Sequence, residues 1–132
     1  SGDDFYMTTA GLTVIETTLG TYNKTLLDLI NPLTVMDWMR NMASNRLATS
    51  GQEWASFFRQ HNSGTYNNQF MVLDYSSFTP GQPLVPGTLW VVEQTPGLVV
   101  DADRTAMLQR DTYFGSYNVP QFPAIVNRAG FA

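Results

Sequence analysis

The chain has 132 residues, of which 43% are hydrophobic and only 14% charged, and its formal net charge is −4. This length corresponds to one domain or less, and so apolar a composition excludes a disordered chain. The seven Lys and Arg residues are scattered, which argues against nucleic acid as a partner because phosphate neutralisation requires clustered positive charge. No segment approaches the ~18 apolar residues of a transmembrane helix.

Residue types that build disulfides and metal sites are scarce. Cys is absent and His occurs once, so the sequence predicts no disulfide, no metal site and no cofactor. The low share of charge leaves little to solvate a surface, and the chain opens at Ser1 rather than Met. We therefore expect residues 1–132 to be one segment of a larger domain, incomplete alone, whose surface other segments partly cover.

In the N-terminal half, two strands are predicted at residues 5–9 and 12–18, since both are rich in β-branched and aromatic residues. Apolar residues at i, i+3 and i+4 predict a helical segment at 24–30, which ends near Asn31 because a proline follows. A longer helix is predicted at 33–48. We interpret its apolar stripe as core, with Asp37, Asn41 and Ser44 on the opposite face; the stripe consists of Val35, Met36, Met39, Met42, Ala43 and Leu47.

A capping box is predicted at the start of the next helix. In it, the Ser50 side chain accepts from the Glu53 amide, and Glu53 reaches back to the Ser50 amide. Two strands then follow at 70–75 and 88–94, separated by a loop rich in Pro and Gly.

The C-terminal part contains one more predicted helix, from an N-cap at Asp101 to about Arg110. Residues 111–132 are predicted to be mostly loop. Strands, then a helical block, then strands again indicate an α+β layered domain.

An uncharged polar run follows the short helix, with the sequence Asn62-Ser63-Gly64-Thr65-Tyr66-Asn67-Asn68-Gln69. Such side chains suit a packed hydrogen-bond network or the polar groups of a neutral substrate. Asn, Ser and Gly are also turn residues, and the residues alone favour a turn.

Three further positions have side chains suited to chemistry. Asn118 lies close to Pro120, and a proline-fixed backbone can present an amide NH2 rigidly, as an oxyanion hole requires; an Asx-turn is the simpler interpretation. Thr18 is the last residue of the second strand. Its hydroxyl can donate to a pocket, or the residue is there only because Thr favours strand structure. Asn23 begins an Asn-Lys-Thr glycosylation sequon.

Taken in order, these segments resemble the phospholipase B-like family. The matching motifs are Asp3-Asp4-Phe5-Tyr6, Glu16-Thr17-Thr18, Asn45-Arg46-Leu47-Ala48, the octapeptide at 62–69, and Ser116-Tyr117-Asn118-Val119-Pro120. The resemblance covers essentially the whole chain, and the octapeptide is its most specific part.

The resemblance implies an N-terminal-nucleophile hydrolase fold, an αββα sandwich, in a lysosomal or secreted glycoprotein. Members of the family mature by internal cleavage that exposes an N-terminal Cys, whose own α-amino group acts as its base. We expect that Cys upstream of Ser1 and a functional Arg beyond Ala132. The implied activity is removal of fatty acyl chains from glycerophospholipids, by an enzyme that is inactive without the segment carrying the nucleophile.

Residue by residue, the resemblance assigns two catalytic positions. Asn118 matches an Asn that helps to hold the oxyanion, and Thr18 matches a Thr that lines the pocket beside the nucleophile. The octapeptide is expected to form a structural polar network, with Tyr66, Asn67 and Asn68 as its candidates for substrate contact. Two alternatives stay open, namely an amidase acting on N-acyl substrates and a non-catalytic binding or storage relative. A carbohydrate-binding module would not account for the ordered match.

Overall fold

A computed structural model describes residues 4–132, so Asp3 of the first matching motif lies outside the described residues. The chain forms a five-stranded antiparallel sheet in which strands consecutive in sequence are neighbours. The strands are β1 (Phe5–Met7), β2 (Leu12–Thr18), β3 (Asn68–Asp74), β4 (Leu89–Thr95) and β5 (Leu98–Asp103). The helices are α1 (Asp37–Leu47), α2 (Gly51–Phe58), α3 (Thr105–Asp111) and α4 (Pro123–Ala129). The α+β prediction is confirmed.

One face of the sheet, here called the α2 face, is covered by α2. Trp54 stacks on Phe58 with ring centroids 4.8 Å apart, and both contact Phe70 of β3. All three rings are fully buried. Removing one such ring typically costs about 3–5 kcal/mol, so this cluster fixes α2 on the sheet.

The opposite face, here called the α4 face, packs against the C-terminal helices. Its buried cluster joins Met71 of β3 and Val91 of β4 to Ile125 of α4 and to Phe122, the residue before that helix. Because alternate residues of a strand point to opposite faces, β3 and β4 supply apolar side chains to both clusters. The sheet is therefore an interior layer between helices.

Helix α1 departs from the sequence prediction in both its start and its orientation. It begins at Asp37, and the predicted apolar stripe is exposed: Met36, Met39, Met42 and Leu47 have exposed fractions of 59, 45, 38 and 60%. The side chains that face the domain are Asp37, Arg40, Asn41 and Ser44. The stripe was wrongly assigned to the core because hydrophobic periodicity identifies a buried face without saying which partner buries it.

Arg40 is the physical reason for this reversal. Its guanidinium donates to the Phe58 carbonyl at 2.6 Å and to Gln94 Oε1 at 2.5 Å, and its Nε donates to the Val35 carbonyl at 2.9 Å. It also lies 4.3 Å from the centre of the Phe58 ring. Burial lowers the pKa of Arg40 to about 10, with Asp37 opposing that shift, so the group stays charged at neutral pH.

The predicted capping box is half right. Ser50 Oγ accepts from the Glu53 amide at 3.2 Å, as expected. Glu53, however, accepts from the Thr49 amide at 2.9 Å and from the Thr49 hydroxyl at 2.8 Å, not from Ser50. The Thr49 hydroxyl supplies a second donor, which makes that position the better partner for the carboxylate.

The C-terminal part was the least well predicted. Asp101 is not an N-cap; it lies within β5 and accepts from Trp90 Nε1 at 2.9 Å. The N-cap of α3 is Arg104, which makes no side-chain capping bond, and the preceding Asp103 accepts from the Thr105 amide at 2.8 Å. The segment predicted as loop contains α4, which begins at a proline and ends at Gly130 in the left-handed conformation, the usual helix boundaries.

The remaining strand boundaries shift by small amounts, since β1 ends two residues early and β3 begins two residues early relative to prediction. Residues Lys24–Leu29 form a 3-10 helix rather than an α-helix. Within residues 4–132, no helix combines the length and apolarity needed to cross a membrane.

Candidate active site

A row of polar side chains crosses the α4 face at one end of the sheet. Thr17 of β2 is in register with Gln69 of β3, which is in register with Glu93 of β4. Gln69 and Glu93 are fully buried, and Gln69 Nε2 donates to Glu93 Oε1 at 2.5 Å. Buried polar groups must be hydrogen-bonded to be tolerated, and the partners of this row come from the segment that carries Asn118.

Ser116 joins the row from outside the sheet. Its hydroxyl donates to Gln69 Oε1 at 2.5 Å and also contacts the Thr17 hydroxyl. The Ser116 hydroxyl has one proton, which it donates to Gln69, so it accepts a hydrogen bond from Thr17. Each group in the row therefore donates to the next, from Thr17 through Ser116 and Gln69 to Glu93. Residues from β2, β3, β4 and the C-terminal segment thus form one chain.

Glu93 ends this chain and holds the backbone beyond Asn118. Its Oε1 accepts from the Gln121 amide at 2.6 Å, and its Oε2 accepts from the Phe122 amide at 3.1 Å. Burial raises the pKa of Glu93 above its usual range, although these amides, Gln69 and the positive charge of Arg104 oppose the shift.

Asn118 sits between these two attachments on an exposed turn. Its φ of 62° is in the left-handed region, which Asn tolerates better than most residues. Its Nδ2 donates to the Thr18 carbonyl at 2.8 Å. The structure therefore brings together the two positions assigned from the family resemblance, through the backbone of Thr18 rather than through its hydroxyl.

The octapeptide is both a turn and a polar network. Asn62 accepts from the Gly64 amide at 2.8 Å and donates to the Thr95 carbonyl at 3.0 Å. Asn67 donates to the Gly64 carbonyl at 2.9 Å and accepts from Gln94 Nε2 at 2.8 Å. The run thereby braces the ends of β3 and β4.

The three candidates for substrate contact differ in their surroundings. Tyr66 is 48% exposed and has a φ of 52°, whereas Asn67 has both ends of its amide engaged inside the protein. Asn68 is fully buried and in register with Thr18, and neither Nδ2 nor Oδ1 of its side-chain amide has a hydrogen-bond partner within the described structure. An unsatisfied buried amide costs about 1–3 kcal/mol. All three lie at the end of the β2–β3 pair that also carries Thr18.

Asn23 of the sequon caps the 3-10 helix. Its Oδ1 accepts from the Thr25 amide at 3.2 Å and the Thr25 hydroxyl at 2.7 Å. Its Nδ2, the atom to which a glycan attaches, donates to the Arg128 carbonyl at 3.3 Å. One of the two amide hydrogens is thus engaged, and the side chain is half-buried.

Sequence reasoning included Gln69 only as part of the octapeptide's polar network, and it missed Glu93 as part of this site. The available signal was a Glu directly after the apolar residues Trp90, Val91 and Val92, since a carboxylate in a buried strand requires partners. No group of three or more His, Cys, Asp or Glu side chains among residues 4–132 is arranged to hold a metal ion.

Comparison with known proteins places this sequence in a family. The family model described as Phospholipase B matches residues 1–132. The chain belongs to the phospholipase B family. It is 50% identical to a Bos taurus protein named "Putative phospholipase B-like 2" over 98% of this chain. It is also 50% identical over 98% of this chain to Dictyostelium discoideum "Phospholipase B-like protein B". The chain spans 22% of the length of each of these relatives.

Proposed function

We propose that this chain forms one wall of the active site of an acyl hydrolase that removes fatty acyl chains from glycerophospholipids. Membership of the phospholipase B family supports the reaction class. The nucleophile is a Cys supplied by sequence outside this chain, since the chain itself contains none. The proposed site is therefore complete only in the whole protein.

The observation that carries the proposal is the way in which Asn118 is presented. One hydrogen of its Nδ2 is directed to the Thr18 carbonyl at 2.8 Å, which fixes the plane of the amide. An amide NH2 has two hydrogens, so the second one is available to a ligand at this exposed turn. A donor whose orientation is set before the reaction can stabilise the developing oxyanion without reorganising.

In the proposed reaction, the N-terminal Cys attacks the ester carbonyl while its own α-amino group takes the thiol proton. The carbonyl oxygen gains negative charge, and Asn118 donates a hydrogen bond to it. Collapse of this intermediate expels the lysolipid or glycerol alcohol and leaves an acyl-enzyme, which water hydrolyses. Thr18 contributes by holding Asn118 and by lining the pocket.

The partners of this chain in the proposal are other segments of the same protein. The methionine side of α1 is exposed, and burying such a surface is favourable at roughly 25 cal/mol per Å² of apolar area.

A lysosomal or secreted location is part of the same proposal and agrees with the glycosylation sequon at Asn23. A glycan at Asn23 would be detected as a loss of mass when the protein is treated with an N-glycosidase.

Replacing Asn118 by Ala in the whole protein tests the proposal. Turnover of a phosphatidylcholine substrate should fall by about 10²–10³-fold, the usual loss when one oxyanion donor is removed. Asn31→Ala makes the same change in the loop before α1 and should leave turnover unaltered. A decrease below about threefold for Asn118→Ala would remove this side chain from the oxyanion hole.

Substrate class needs a separate measurement, because an ester and an amide pass through the same kind of oxyanion. The whole protein is assayed with a phosphatidylcholine and with an N-acyl amine of the same chain length. Preferential release of acid from the amide would favour the amidase alternative. Lipid binding without acid release from either compound would favour the non-catalytic alternative.

A further inference from the structure

The turn that carries Asn118 is attached to the sheet on both sides. Before Asn118, the Ser116 hydroxyl is bound by Gln69 and Thr17. After it, the Gln121 and Phe122 amides are bound by Glu93. Gln69 and Glu93 are themselves hydrogen-bonded to each other, so the two attachments form a single unit.

Glu93 is the centre of that unit because it accepts from three donors, one on β3 and two on the segment that follows Asn118. These are Gln69 Nε2 at 2.5 Å, the Gln121 amide at 2.6 Å and the Phe122 amide at 3.1 Å. A fully buried carboxylate in a central strand is costly unless it is hydrogen-bonded, and an apolar residue in its place would leave all three donors without an acceptor. Two of those donors are backbone amides of the segment that follows Asn118, so Glu93 attaches that segment to β4.

We propose that Glu93 is a positioning residue for the Asn118 amide, which it aligns by holding residues 116–122 against β3 and β4. This inference rests on the proposed function, because it assumes that Asn118 donates to the oxyanion. Glu93 does not contact the substrate. It acts through the backbone, and a displacement of about 1 Å at the reacting group is enough to cost about 10²-fold in rate.

Glu93→Gln in the whole protein is the central variant. Whichever way the new amide turns, its NH2 faces the Gln121 amide or the Phe122 amide, so one bond to the segment is lost at nearly constant volume. With phosphatidylcholine as substrate, kcat should fall by about 10- to 100-fold. KM should change by less than about twofold, because the donor acts mainly in the transition state.

Asp101→Asn is the matched control. It makes the same change of carboxylate to amide on the neighbouring strand β5, where Asp101 binds Trp90 and Arg59. Asp101 pairs with Val92, the residue before Glu93, and therefore points to the opposite face of the sheet. Its kcat should stay within about twofold of the unmodified protein. An equal loss of kcat in both variants would mean general damage to the sheet and would overturn the inference.

A double variant separates positioning from an independent effect. If Glu93 acts through Asn118, Glu93→Gln should slow the Asn118→Ala protein by less than about twofold, since the donor it aligns is already gone. If the fold-decrease in kcat of the double variant equals the product of the two single fold-decreases, the inference is overturned.

Amide hydrogen exchange at Gln121 and Phe122 gives a readout that does not depend on turnover. Exchange at these amides should accelerate in Glu93→Gln, and unchanged exchange would also overturn the inference.

The failure of this inference and the failure of the proposed function give different results. If Asn118→Ala has a reduced kcat but Glu93→Gln has the kcat of the unmodified protein, the positioning role of Glu93 is wrong and the proposed function is retained. If Asn118→Ala itself has the kcat of the unmodified protein, Asn118 does not donate to the oxyanion, and the positioning role of Glu93 is then also wrong.

Discussion

At the scale of single residues, Glu93 links stability to pH. Its pKa in the folded protein is raised, mainly by burial. Between the ordinary Glu pKa and the raised value, the native state holds a proton that the unfolded chain has released. Stability therefore decreases as pH rises through this window and is greatest below it. This direction is opposite to that of a salt-bridged carboxylate, which stabilises at higher pH.

The prediction is that Glu93→Gln removes this part of the pH dependence. Urea unfolding midpoints of the unmodified protein and the variant are compared from about pH 4 to about pH 7. The stability of the unmodified protein relative to the variant should decrease as pH rises. Two profiles that stay parallel over this range would contradict the raised pKa.

The residues alone left two interpretations open for Asn118 and for Thr18, and only the family resemblance assigned both to a site. Their hydrogen bond joins residues 100 positions apart, and no local pattern relates positions so distant. Glu93 carried a local signal, since a charged residue within an apolar strand requires partners. The identity of those partners, the amides of Gln121 and Phe122, depended on the packing of α4 against the sheet.

At the scale of secondary structure elements, predictions succeeded where one local rule decided the outcome. Strand β2 was predicted with its observed limits because β-branched residues dominate it. Strand β5 was missed because Asp101 and Asp103 are poor strand residues, and Asp101 is tolerated there through its hydrogen bond to Trp90. The buried face of α1 was predicted on the wrong side, because tertiary hydrogen bonds of Arg40 override the apolar periodicity of the helix.

Arg40 should therefore be more important to stability than the methionines of the same helix. Arg40→Ala removes a buried cation and leaves the Phe58 carbonyl and Gln94 without their donor, so we expect a loss of about 3–5 kcal/mol. Arg46→Ala, at an exposed position of α1, should change stability by less than about 0.5 kcal/mol. Urea unfolding measures both, and equal midpoints would contradict the reversed orientation of α1.

At the scale of the whole molecule, the apolar surface is distributed in a way that is unusual for a protein that works alone. Leu33, which precedes α1 in the sequence, is 90% exposed, and Phe5 and Met7 on edge strand β1 are 74% and 86% exposed. Extended apolar patches usually mark interaction surfaces. This distribution agrees with a chain that spans 22% of the length of its relatives.

The isolated segment should consequently self-associate. Light scattering after size-exclusion chromatography should show species larger than a monomer, and replacing Met36, Met39 and Met42 together by Gln should shift them toward monomer. As a control, replacing the exposed residues Gln52 and Ser56 of α2 by Ala should have no effect. A monomeric unmodified segment at concentrations of tens of micromolar would contradict this prediction.

The directional row from Thr17 to Glu93 also has a consequence for folding. Thr17 and Ser116 are separated by 99 positions in the sequence, and the row exists only when β2, β3 and β4 are already paired. Contacts between such distant positions form late, because closing a long loop costs entropy before any contact compensates for it. A partly folded chain can thus contain the sheet and yet present Asn118 in no fixed direction, so that the orientation of this side chain is among the last features the segment acquires.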